Sequence, residues 1–200
     1  MDRLKLFEKE LGYIKDIKIK EFTEKALLKL PEYFFEVPAS STGKYHPSYA
    51  LGEGGLVRHT KAAVRIAIEL FRMDCFKYTD TDKDMIIASL ILHDGFKSGI
   101  NHSKYTVTEH PLIVAQFIRE NTEINSCVDE DIINTIATNI ECHMGQWTYD
   151  YRSKKEVLPR PKTNMQRFVH LCDYLASRKC LELNFDVDVT RESTANYPKG

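Results

Sequence analysis

Residues 85–94 read MIIASLILHD. From Met85 to Leu92 the run is apolar apart from Ser89. It fits a helix that is apolar on nearly all sides, and such a helix belongs in a protein interior. It is far too short to cross a membrane, which takes roughly 18 apolar residues or more. The run closes on His93-Asp94, with Gly95 as a natural terminator. Two ionisable side chains at the end of the most apolar helix in the chain are costly to bury unless something neutralises them.

Helical patterning continues on both sides. Upstream, Asp80 or Thr81 can cap this helix, and Asp84 stands at capping-box spacing from Thr81. Leu56, His59, Ala63, Ile66 and Leu70 share one face of a helix that begins after Gly54. Residues 36–53, with Pro38, Ser40, Ser41, Gly43, Pro47 and Gly52, read as a long loop, and residues 3–30 as helix stopped by Pro31. Downstream, a polar loop from Lys97 to Tyr105 leads to Thr108, a candidate cap for a helix carrying Leu112, Ala115, Gln116 and Ile118. Asp129 is placed to cap another, with Ile132, Ile133, Ile136, Ala137 and Ile140 inward and Gly145 beyond its end. A basic loop from Trp147 to Thr163 precedes a last helix over about 164–183. Strand signals are weak throughout. The expected fold is all-α, a single helical bundle: an N-terminal helix and loop over 1–53, a core over 54–185 and a polar tail over 186–200.

The 200 residues are 42% hydrophobic and 28% charged, enough to bury a core without staples. A formal net charge of −1 provides no basic surplus for tight binding to long nucleic acid. The five cysteines form no CxxC pair and are odd in number, which points to free thiols in a reducing compartment. The first twenty residues are charged throughout and lack the apolar region of a secretory signal, so a cytoplasmic, non-membrane protein is expected.

Ionisable residues recur on apolar faces. His59 lies between Leu56 and Ala63, and Asp173 lies on the face of Val169, Ala176 and Cys180. A lone inward His is usually a hydrogen-bonded core residue, and an inward Asp can pair with a neighbouring Arg167 or Arg178. Convergence of all of these on one cation would offset their burial together.

The ordered segments GGLVRHT (54–60), ASLILHDGFKSG (88–99), TEHP (108–111), ECHMGQW (141–147) and HLCDYLASR (170–178) resemble the HD superfamily of metal-dependent phosphohydrolases. The likeness is greatest, through GGLVRHT and HMGQW, to the HD catalytic domain of 3′→5′ exoribonucleases. It implies an HD-type helical bundle in which His59, His93, Asp94 and Asp173 hold a divalent metal. Family members with two ions add a His in a His-Pro pair and further His residues; His110 and His143 match these. Met144 stands where many relatives carry a second His, and its thioether is a poor ligand for hard cations. One ion is expected, with two as the alternative and Asp94 as the bridge. The GYP signature of cyclic-dinucleotide phosphodiesterases is absent.

Imidazole and carboxylate ligands suit Mn, Fe, Co, Ni, Zn or Mg. The implied activity is cleavage of a phosphate mono- or diester by metal-activated water, with Asp94 and Lys97 catalytic. Lys97, three residues after Asp94, is expected to hold a phosphate oxygen, and Arg58 to bind substrate. The expected partner is a small phosphorylated substrate, a nucleotide or a short single-stranded oligonucleotide. Two alternatives stand beside this: a 3′→5′ exoribonuclease, and a nucleotide- or metal-binding HD module without turnover. His46, His102 and His170 match no motif position, and Trp147 and Tyr149 either stack on a base or pack their loop.

Overall fold

The computed structural model describes residues 2–40 and 42–181. Ser41 of the expected 36–53 loop, the end of the expected last helix and the polar tail lie outside the described residues. Among those described, the regular elements are helical: α1 (Arg3–Leu6), α2 (Glu8–Gly12), α3 (Ile17–Leu28), α4 (Gly55–Leu70), α5 (Asp80–Leu92), α6 (His110–Glu120), α7 (Thr122–Asn125), α8 (Glu130–Glu141) and α9 (Asn164–Ala176), with 3₁₀ turns at Glu32–Phe35 and Ser48–Ala50. Among the described residues, β pairing is confined to one isolated bridge between Tyr149 and Glu156. The all-α bundle read from the sequence is the observed architecture.

The MIIASLIL run is the axis. α5 packs against α3, α4, α8 and α9, and every residue from Asp84 to Leu92 is buried. The one hydroxyl of the buried 85–92 run is satisfied inside the helix, where Ser89 Oγ donates to Met85 O at 2.7 Å. α6 lies on α8, and α4 on α9, so the helices around α5 share one core that also takes in Leu6, Phe7, Phe22 and Phe34.

Several local expectations are corrected. The stretch 3–30 is three helices: Asp16 accepts from the amides of Lys18 and Ile19, starting α3 afresh. The cap of α5 is Thr79, in a reciprocal capping box with Asp82. Asp84 instead reaches across the fold, accepting from the backbone amides of Lys15 at 3.1 Å and Asp16 at 2.8 Å. Thr108 does not cap α6; its hydroxyl donates to Asp150. Gln116 is exposed, and the inward face of α6 is Val114, Ala115 and Ile118. Asp129 holds the cap position of α8 without a side-chain bond. α9 ends at Ala176 and is capped by Thr163, whose capping box with Gln166 matches the Thr-x-x-Gln pattern.

The 36–53 loop turns back onto the start of α4. Gly54 N donates to Glu36 O and Leu56 N to Val37 O. Gly55 permits this approach, since a Cβ there would stand 2.3 Å from Ala50 O. Arg58 straps the same loop, donating to the carbonyls of Tyr49, Leu51 and Glu53.

Asp84 is therefore a tertiary tie between α5 and the start of α3. Asp84→Ala leaves two amides without their acceptor and is expected to lower unfolding free energy by about 1–3 kcal/mol. Urea denaturation checks this; an unchanged midpoint would show that the tie carries no weight.

Candidate metal centre

Each candidate ligand sits where the fold gives it little freedom. His59 lies within α4, on the face turned to α5 and α9. His93 and Asp94 follow the last turn of α5, His110 opens α6 with Pro111 behind it, and His143 follows α8. Asp173 lies in the last turn of α9. The structure brings all six together around Asp94. The four imidazoles and Asp94 are at most 1% exposed, and the Asp173 side chain is 17% exposed.

The two oxygens of Asp94 face different partners. Oδ1 stands 2.9 Å from His110 Nε2 and 3.6 Å from His143 Nε2. Oδ2 stands 3.4 Å from His93 Nε2 and 3.7 Å from His59 Nε2, and also meets Lys97 Nζ. Asp173 Oδ1 closes the second group, 2.9 Å from His59 Nε2 and 3.4 Å from His93 Nε2. Donors about 2.1 Å from a shared ion stand roughly 3.0–3.4 Å apart at octahedral or tetrahedral angles. The observed separations scatter about that range.

The imidazoles are oriented by one repeated device. Nδ1 of His93, His110 and His143 lies 2.7 Å from the carbonyl oxygen of the residue three positions earlier: Leu90, Val107 and Ile140. A carbonyl only accepts, so each Nδ1 carries the proton and each Nε2 is turned inward, as in a metal-ligating histidine. His110 Nε2 and His143 Nε2 then face each other at 3.2 Å. Two lone pairs so close, beside Asp94 Oδ1, need a proton or a cation between them. The buried Nε2 of His93 and Oδ1 of Asp94 have no geometrically good hydrogen bond. On donor type, spacing and tautomer, the set fits a divalent metal.

The electrostatics point the same way. Burial drives the Asp94 and Asp173 carboxyls upward, yet both lie well below the usual range. Lys97 and His93 overcome burial for Asp94, and His59 and His93 do so for Asp173. Burial holds His59 and His110 below their ordinary value. His93 also suffers burial, but the two carboxylates raise it to about 10.

Two nearby histidines were not singled out by motif. His46, from the 36–53 loop, places its ring edge-on to His59 with centroids 5.4 Å apart. Burial, then the charges of His59 and Lys97, push it down to about 3. His170, one turn before Asp173, sets Nδ1 2.7 Å from the carbonyl of His143. Its ring fills the space beside Gly145, where a Cβ would come within 2.2 Å. The signal available was its i, i+3 spacing from Asp173 on α9. Arg58, expected to bind substrate, is placed elsewhere: its guanidinium serves the loop carbonyls. The rivals Arg167 and Arg178 do not take Asp173, whose partners are the two histidines. Trp147 stacks on Tyr174, with centroids 5.6 Å apart.

A helical bundle closed around a buried His/Asp cluster defines a class of metal-binding proteins. A family model described as the HD domain matches residues 56–178, more than half of the chain, and the chain belongs to that family of metal-dependent phosphohydrolases. No curated protein and no solved structure matches it. Among the described residues, no helix is long and apolar enough to cross a membrane.

A metal entering this cluster must displace the proton that His93 carries up to about pH 10. Affinity for Mn²⁺ is therefore expected to rise from pH 6 to pH 9, with proton release on binding. Calorimetry in buffers of different ionisation enthalpy measures this; pH-independent binding without proton release would refute it.

Proposed function

We propose that the protein hydrolyses a phosphate mono- or diester of a nucleotide or short oligonucleotide at the Asp94 centre. The observation that carries this reading is the division of the Asp94 carboxylate between His59/His93 on one oxygen and His110/His143 on the other. A carboxylate so placed suits a site with room for two ions, which His143 serves without help from Met144. A divalent ion bound there would supply a Lewis acid and an acidified water at neutral pH.

The chain's own residues then have distinct tasks. Asp94 would fix the position of positive charge from both sides, one carboxylate oxygen toward each pair of histidines. Asp173 Oδ1 and His59 Nε2, 2.9 Å apart, would both turn to an ion bound between them. Lys97 is held against Asp94 Oδ2, where its ammonium can meet a phosphoryl oxygen brought to the centre. His170 keeps the turn of His143 in place by its bond to that residue's carbonyl.

A second reading, stepwise 3′→5′ cleavage of single-stranded RNA, is favoured by the surface beside His143. Trp147 is 46% exposed, Tyr149 55% and Tyr151 82%, on a loop carrying Arg152, Lys154, Lys155, Arg160 and Lys162. Exposed rings among cations are what successive bases stack on.

Asp94→Asn keeps the shape of the side chain and removes its charge. Its phosphate-ester hydrolysis in Mn²⁺ is expected to fall on the order of a thousandfold or more, with loss of bound metal and retention of helicity. Wild-type turnover by a folded Asp94→Asn protein would end the proposal. A labelled RNA shortened one nucleotide at a time would select the exonuclease reading, and intact RNA beside hydrolysed mononucleotide would exclude it.

A further inference from the structure

A second recess lies next to the metal centre, between the loop that leaves α5 and the Val37–Pro38 turn. Its volume is about 240 Å³. Val37 and Pro38 form one wall; Lys97, Ser98, His102, Ser103, Lys104 and Thr106 form the other. The polar wall thus offers two lysines, an imidazole and three hydroxyls, and no carboxylate is among the lining residues. The Lys97 ammonium is shared with Asp94 Oδ2 of the metal centre, whereas Lys104 has no such carboxylate partner among the described residues. A wall of donors with no acid of its own is the complement of an oxyanion. A neutral sugar would call for acceptors as well, and a base for an open aromatic face.

The recess is built into the fold. Ser103 N donates to Ser98 O at 2.7 Å and Val107 N to Lys97 O at 3.0 Å, which closes the loop on itself. Tyr33 supports it from below: its hydroxyl donates to Gly99 O at 2.7 Å and its ring stacks on His102, with centroids 4.5 Å apart. His102 is held at φ 50°, a left-handed conformation that non-glycine residues adopt at a cost of about 1 kcal/mol or more. Lys97 belongs to both places. Its ammonium meets Asp94 Oδ2 at the metal centre, and the same side chain lines the recess.

We propose that this recess is an anion subsite for a second phosphate group of the substrate, next to the phosphate held at the metal centre. Lys104 supplies its charge, His102 and the hydroxyls supply donors, and Lys97 stands between the two phosphates. The assignment of the first phosphate rests on the phosphohydrolase reading above. The second can come from a polyphosphate chain or from the neighbouring internucleotide linkage, which share this chemistry.

The test is calorimetric binding of inorganic phosphate and inorganic pyrophosphate to the Mn²⁺-loaded protein, wild type against Lys104→Glu and Thr106→Val. Lys104 and Thr106 are exposed, so neither substitution threatens the core. The wild type is expected to prefer pyrophosphate, and Lys104→Glu to erode that preference on the order of tenfold, with a smaller erosion in Thr106→Val. No preference in the wild type, or an unchanged ratio in Lys104→Glu, overturns the subsite. ATP and a 5′-phosphorylated dinucleotide then distinguish the source: whichever loses affinity in Lys104→Glu supplies the second phosphate. A protein that hydrolyses no ester would sink the catalytic reading while leaving this binding comparison interpretable.

Discussion

The Asp94 carboxylate is 1% exposed and surrounded by four imidazole nitrogens and one ammonium. Burial of an ionised carboxylate costs several kcal/mol unless positive charge and donors replace its water. Much of the fold can be understood as meeting that demand. α5 has to be apolar on every side because it carries the His93-Asp94 doublet to the centre of the bundle. The helices packed on it then deliver the remaining groups: His59 from α4, His143 from the end of α8 and Asp173 from α9, while His110 enters at the head of α6, which lies on α8.

Helix ends supply the orientation. The last carbonyls of a helix have no amide partner within it. At α5 and α8 the His just beyond the helix turns back and puts Nδ1 on one of these carbonyls, at Leu90 and Ile140. One contact uses a carbonyl at the helix end, fixes the ring and leaves Nε2 facing Asp94. The same three-residue step at Val107 orients His110 at the first position of α6. Ending each helix at that point places its ligand, and a one-residue shift would turn the ring away.

Much of this was legible in the chain. Burial of 85–92 followed from its composition, and the bundle from the recurrence of helical faces. The six candidate ligands came from family resemblance laid over those faces, and the structure brings their side chains together. What escaped reading was long-range. Asp84 has the spacing of a capping residue, but its oxygens go to amides some seventy residues earlier, which no local pattern records. Arg58 adjoins a ligand in sequence, yet one position along a helix turns a side chain by about 100°, here toward the loop carbonyls. His46 and the recess beside Lys97 depend on how two irregular loops fold back, where periodicity carries no information.

The measurement that bears most directly on the centre is anomalous diffraction from crystals grown with Mn²⁺. The expected result is manganese density bounded by His59, His93, Asp94 and Asp173, with any second peak across Asp94 beside His110 and His143. Manganese bound elsewhere, with Lys97 still paired to Asp94 and no ion among the imidazoles, would contradict it.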